Sequence, residues 1–170
     1  RSKVRVVGTP IRKAFLESIE QSREKSGSPH LLIFGGSQGA KAMNTAMIEG
    51  FPDLMTQLPQ FTVTHQTGES DHARVAEAYR RVGIESQIVP FIYDMPVALR
   101  QADLVVARAG AMTVAELTAC GKPAILVPLP SAIYDHQTHN AKVMEAAGAA
   151  VLLPQSKLTG ALLARTVTGI

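Results

Sequence analysis

Three stretches of this sequence carry the residue types with which a backbone holds an anion: Gly35-Gly-Ser-Gln-Gly-Ala40, Arg108-Ala-Gly-Ala-Met-Thr113 and Asp135-His-Gln-Thr-His-Asn140. Each opens a helical pattern, the first two directly behind an apolar run. A strand that turns tightly into a helix aims unpaired N–H groups, and the positive end of the helix dipole, at one point in space. Such a corner suits a phosphate. All three corners are expected to meet on one phosphorylated ligand.

The side chains at these corners admit two readings each. Glycines let the first loop approach a phosphate closely, and Ser37 can add its hydroxyl; the same residues also make a plain tight turn. The loop is not G-x-G-x-x-G, no Gly-Lys-Ser/Thr follows it, and the next strand ends in His65 where a dinucleotide fold places an acid. Thr113 and Glu116 have the T-x-x-E spacing of a capping box, in which both merely satisfy helix amides. Alternatively, the Glu116 carboxylate accepts hydrogen bonds from a vicinal diol such as that of ribose. Asp135 reads as a helix N-cap. Gln137 and Asn140 share one helical face, and their amides can donate to and accept from sugar hydroxyls. His136 and His139 have the same spacing but no third ligand nearby, which is weak ground for a metal. His30, His65 and His72 are assigned structural places only. No Asp-x-Asp pair is present to hold a divalent ion on a diphosphate, so leaving-group charge would fall to amides and hydroxyls.

The elements that position these corners alternate. Strands are expected at Val4–Val7, Leu31–Phe34, Phe61–His65, Gln87–Pro90, Leu104–Ala107, Ala124–Val127 and Ala149–Leu153. Helices are expected around Phe15–Ile19, Ala40–Ile48, from an Asp71 cap through Val82, Pro96–Arg100, Thr113–Cys120, Asp135–Ala147 and Leu158–Val167. Such alternation predicts an α/β fold, a parallel sheet covered on both faces with right-handed crossovers. Ligands of these sheets sit beyond the carboxyl ends of the strands, which is where all three corners fall. The polar stretch Gln21–Ser28 is a candidate linker.

Composition narrows the class. The 170 residues include 46% hydrophobic and 18% charged residues, ordinary for one globular domain. A net charge of +3 is too small and too scattered to point to nucleic acid. No stretch reaches the ~18 consecutive apolar residues of a membrane span. The single cysteine, Cys120, excludes a disulfide framework and reads as a small buried filler in a reducing, cytoplasmic setting. The ends, Arg1 leading straight into a strand and Ile170 in a helical pattern, read as a piece of a longer protein.

These motifs, with Gly8-Thr-Pro-Ile-Arg12, His65-Gln-Thr-Gly68 and Phe91-Ile-Tyr-Asp-Met95, resemble the donor half of GT-B glycosyltransferases, and within them the MurG family. They run in the family's order over nearly the whole chain. The resemblance implies a Rossmann-like parallel sheet with helices on both faces, the C-terminal half of a GT-B enzyme. Residues 1–28 would be an inter-domain strand, helix and linker, and 29–170 the UDP-sugar domain. It implies inverting, metal-independent and cofactor-free transfer of GlcNAc from UDP-GlcNAc to undecaprenyl-diphosphoryl-MurNAc-pentapeptide (lipid I), forming lipid II in peptidoglycan synthesis.

By the same resemblance, Arg12 and Ser37 beside Gly36 would meet the diphosphate, and the Ile92 backbone the uracil edge. The amides of Ala111, Met112 and Thr113 would hold a phosphate, Glu116 the ribose, and Gln137 with Asn140 the GlcNAc hydroxyls. Thr9 and Ile11 stand where the family usually has Asn and Val. The acceptor site, the catalytic base and the patch that meets the inner face of the cytoplasmic membrane would belong to an N-terminal domain not among these residues. The chain is therefore expected to bind donor and not to turn over alone. Rival readings are the donor subunit of a split UDP-GlcNAc transferase, as in the dolichol pathway, a UDP-GlcNAc 2-epimerase-like enzyme, and a nucleotide-dependent oxidoreductase. The missing dinucleotide fingerprint counts against the last.

Overall fold

The computed structural model describes residues 8–20, 27–36 and 39–170. The strand expected at Val4–Val7, most of the candidate linker, and Ser37 lie outside the described residues.

Strands are β1 (His30–Phe34), β2 (Thr62–Gln66), β3 (Ser86–Val89), β4 (Leu104–Ala107), β5 (Ala124–Leu126) and β6 (Ala150–Leu152). Helices are α1 (Lys13–Glu20), α2 (Lys41–Gln57), α3 (His72–Val82), α4 (Met95–Gln101), α5 (Ala111–Ala119), α6 (His136–Ala146) and α7 (Gly160–Thr168). The strands form one six-stranded sheet in the order β3-β2-β1-β4-β5-β6, every pairing parallel. Strand side chains alternate between two cores, as a period of two requires. Leu31, Ile33, Val63, Val106 and Ile125 face Met47, Phe51, Leu54, Tyr79 and Leu163 from α2, α3 and α7. Leu32, Phe34, Val105, Ala107 and Leu126 face Phe15, Leu99, Leu117 and Ala141 from α1, α4, α5 and α6.

This strand order reverses direction between β1 and β4, which lie side by side with Phe34 opposite Ala107. The chain leaves β1 into α2 on one face and leaves β4 into α5 on the other. The two departing corners open a crevice at the carboxyl edge of the sheet, the place where ligands of doubly wound sheets bind.

One helix outruns its expected end. α2 continues nine residues beyond Ile48, through Gly50 and Pro52, to Gln57. Gly50 is a packing glycine here, not a stop: a Cβ on its partner Gly160 would lie 2.5 Å from the backbone of Glu49 and Gly50. The bare contact seats α7 on α2, and buried Phe51 and Leu54 hold the later turns down. Pro52 costs the ladder one N–H bond but leaves its own carbonyl paired with Thr56 Oγ1 at 2.8 Å.

The expected cap at Asp71 is corrected in detail. Asp71 stands at the N-cap position of α3 but makes no capping bond. Its carboxylate accepts from Asn44 Nδ2 at 2.8 Å and from Arg74 Nε and Nη2 at 2.7 Å. Cys120 is the C-cap residue of α5 and is only part-buried, packed on the edge of the second core rather than inside it.

Candidate functional site

At the first corner, β1 ends in Phe34 and the loop from Gly35 delivers the chain to α2. Gly39 N donates to Gly36 O at 2.9 Å, closing a turn in which Gly36 and Gly39 have φ of 92° and 73°. Only glycine adopts this backbone cheaply. The far side of the loop rests on the end of β2, where Gln66 Nε2 donates to Gly36 O at 2.6 Å. A Cβ on Gly39 would sit 2.1 Å from the Thr67 carbonyl oxygen. Ala40 offers no side-chain cap to α2, so the first amides of that helix are left to the loop's surroundings.

At the second corner, α5 begins two residues earlier than expected. Gly110 is its N-cap and has no side chain with which to cap, and the first intrahelical bond runs from Val114 N to Gly110 O at 2.9 Å. The amides of Ala111, Met112 and Thr113 are therefore open among the described residues. This overturns the capping-box reading of Thr113 and Glu116. Both lie inside the helix, and the Glu116 carboxylate accepts no hydrogen bond among the described residues. Burial pushes the Glu116 carboxyl above its ordinary range, and the Arg12 charge opposes that rise. Arg12, just before α1, is exposed and lays its guanidinium 5.0 Å from the Phe15 ring centroid. Its field reaches Glu116, so the two charges face one region.

The third corner is built differently. After β5 the Pro128–Pro130 loop leads to a 3-10 turn at Ile133–Asp135. Tyr134 and Asp135 both take left-handed backbone, φ 53° and 52°, at a cost of roughly 1–2 kcal/mol each. Asp135 makes no capping bond, contrary to expectation. Gln137 Oε1 accepts from Leu129 N at 3.0 Å, and Asn140 Nδ2 donates to Ala109 O at 2.9 Å. The first two turns of α6 thus grip both the proline loop and the second corner. The amide N–H groups of Gln137 and the side-chain carbonyl of Asn140 make no hydrogen bond among the described residues. His136 is tied by Nδ1 to Ile133 O at 2.7 Å, and no group of three or more metal-ligating side chains gathers among the described residues.

Ile92 follows β3, two strands out from the crevice on the β1 side. Its side chain packs on the second core, and its backbone N–H and C=O make no hydrogen bond among the described residues. It borders a cleft of about 460 Å³ with Phe91, Tyr93, Thr64, Gln87 and Val97. Phe91 and Tyr93 pack edge to face above this loop, centroids 5.2 Å apart.

Arg108 belongs to the site's scaffold and was given no role by its sequence position. Its Nη1 donates to Val127 O and Pro128 O at 3.0 and 3.1 Å, and its Nη2 to Gln155 Oε1 at 2.6 Å. One half-buried guanidinium therefore ties the end of β4 to the end of β5 and to the 3-10 turn at Gln155–Lys157. Nothing in the chain's local pattern marks such a clamp, because its partners lie 19 to 47 residues away.

Known proteins resemble this chain over most of its length. The family described as Glycosyltransferase family 28 C-terminal domain matches residues 30–170. A UDP-N-acetylglucosamine–N-acetylmuramyl-(pentapeptide) pyrophosphoryl-undecaprenol N-acetylglucosamine transferase of Anaeromyxobacter sp. (strain Fw109-5) is 48% identical over 99% of this chain and 44% of its own. An enzyme of the same name from Syntrophus aciditrophicus is 50% identical over 95% of this chain and 45% of its own. The crystal structure of Acinetobacter baumannii MurG superposes with a TM-score of 0.74 at 38% identity, covering 91% of this chain and 44% of that one. The chain thus spans somewhat less than half the length of the relatives it matches.

Proposed function

The chain belongs to glycosyltransferase family 28, as its C-terminal domain, and on that premise we propose that it is the donor-binding half of an inverting N-acetylglucosaminyltransferase using UDP-GlcNAc. The observation that carries this is the second corner: three open helix amides, with the non-capping, part-buried Glu116 about one turn behind them and Arg12 nearby. The amides and Arg12 meet the diphosphate, together with the Gly36–Ser37 loop. Glu116 accepts from the ribose diol, and the open backbone of Ile92 reads the uracil edge. Gln137, with the free carbonyl of Asn140, takes the GlcNAc hydroxyls.

In this reading an acceptor hydroxyl attacks the anomeric carbon, its proton passes to a base, and UDP departs from the opposite side. Charge growing on the departing diphosphate is met by the α5 amides and Arg12, with no metal or other cofactor taking part. The acceptor is the lipid-linked MurNAc-pentapeptide named for the relatives, so the whole protein would work at the inner face of the cytoplasmic membrane. Among the described residues no helix is long and apolar enough to cross a membrane. The base and the acceptor contacts are assigned to residues outside this chain.

Calorimetric titration of the chain with UDP-GlcNAc, UDP-glucose, UDP-GalNAc and NADH tests the assignment. UDP-GlcNAc should bind most tightly, NADH should give no heat, and the chain alone should transfer no GlcNAc to lipid I. Comparable NADH binding, or transfer by the chain alone, would overturn it.

A further inference from the structure

Beneath the first corner lies a buried hydrogen-bond chain that the donor contacts do not use. His65, Asn44, Thr67 and Tyr79 are all at most 1% exposed. Its polarity follows from donors and acceptors alone. Asn44 Nδ2 reaches two groups that can only accept, Thr67 O at 3.0 Å and Asp71 Oδ2 at 2.8 Å. Asn44 Oδ1 therefore faces His65 Nε2, at 3.0 Å, and that nitrogen carries the hydrogen. His65 Nδ1 is left to accept from the Tyr79 hydroxyl at 3.1 Å. Burial lowers the His65 pKa to about 3, against the pull of Asp71, which keeps the ring neutral and the chain running one way. Arg74 closes the far end on Asp71.

The chain has an outlet at the glycine loop. Thr67 O, held by Asn44, is the atom on which Gly39 rests so closely that a Cβ would lie 2.1 Å away. The neighbouring residue on β2, Gln66, is also buried and donates to Gly36 O at 2.6 Å. Two successive residues at the end of β2 thus fix both ends of the turn. A fully satisfied buried network of this kind has one low-energy arrangement, and a backbone leaning on it inherits that arrangement.

We propose that Asn44 and Gln66 are positioning residues for the phosphate-binding corner, with His65 orienting Asn44, so that they govern affinity for the diphosphate without touching it. This rests on the donor-site reading above. The test is titration of the chain and of its Asn44→Leu and Gln66→Leu variants with UDP and with uridine. Both variants should bind UDP about tenfold more weakly and uridine within twofold of the parent. If Asn44→Leu does not fold, Asn44→Ser removes the same amide bonds and takes its place. Loss of UDP and uridine affinity by one common factor, or of neither, would overturn the positioning role alone. A parent chain that binds neither UDP nor uridine would overturn the donor-site reading, and this inference with it.

Discussion

Replacing Glu116 with alanine is expected to weaken UDP-GlcNAc binding by about 1.5–3 kcal/mol, roughly 10- to 150-fold, with no loss of melting temperature. The carboxylate caps nothing: α5 starts at Ala111 behind Gly110, and Glu116 lies in the second turn, part-buried. Burial lifts its pKa above the ordinary 4.5, so the folded protein favours the neutral acid more than the unfolded chain does. Stability from that preference is present below the unfolded pKa and is lost as pH rises through the folded one. At neutral pH the ionised Glu116 therefore burdens the fold, and removing it should hold or raise the melting temperature. Donor binding has the opposite slope. A diol donates to the carboxylate, so affinity should fall as pH is lowered through the folded pKa, and Glu116→Gln should be weak and flat over that range. Unchanged affinity in the alanine variant, with a lowered melting temperature, would make Glu116 a helix residue only.

The second large effect is expected at the glycine loop. Gly39→Ala places a methyl 2.1 Å from Thr67 O and 2.5 Å from Thr67 C, both backbone atoms, at φ 73°. Overpacking of about 1–3 kcal/mol adds to a left-handed penalty of about 1–2 kcal/mol. The melting temperature should drop by roughly 5–15 °C, and UDP-GlcNAc affinity with it. Gly36→Ala is the control. Its φ is 92°, but a Cβ there meets nothing within 4 Å among the described residues, so the backbone penalty is what remains. Equal effects from the two substitutions would show that contact with Thr67 does not set the loop.

Much of this architecture was legible along the chain. The described strands fell within one or two residues of their expected places: β1, β4 and β5 because strands buried on both faces are apolar nearly throughout, β2 because its residues alternate. Helix ends were less legible, and for specific reasons. Gly50 and Pro52 look like stops until α7 is seen packed on Gly50. Thr113 and Glu116 fit a capping box in the local pattern, but the open conformation of Gly110 starts the helix two residues sooner. Asp71 is drawn from capping by Arg74 and by Asn44, 27 residues away. The bonds that unite the corners, Asn140 to Ala109 and Arg108 to Gln155, join segments 31 and 47 residues apart and leave no local trace.

The central claim is that a UDP-sugar occupies the crevice where β1 and β4 part. Amide-resolved NMR during titration of the chain with UDP-GlcNAc addresses it directly. Shifts should concentrate at Gly36, Gly39, Ile92, Ala111, Met112 and Thr113, with the Gln137 side-chain amide responding to UDP-GlcNAc but not to UDP. Saturable binding that leaves the Ala111–Thr113 amides unmoved would contradict the account.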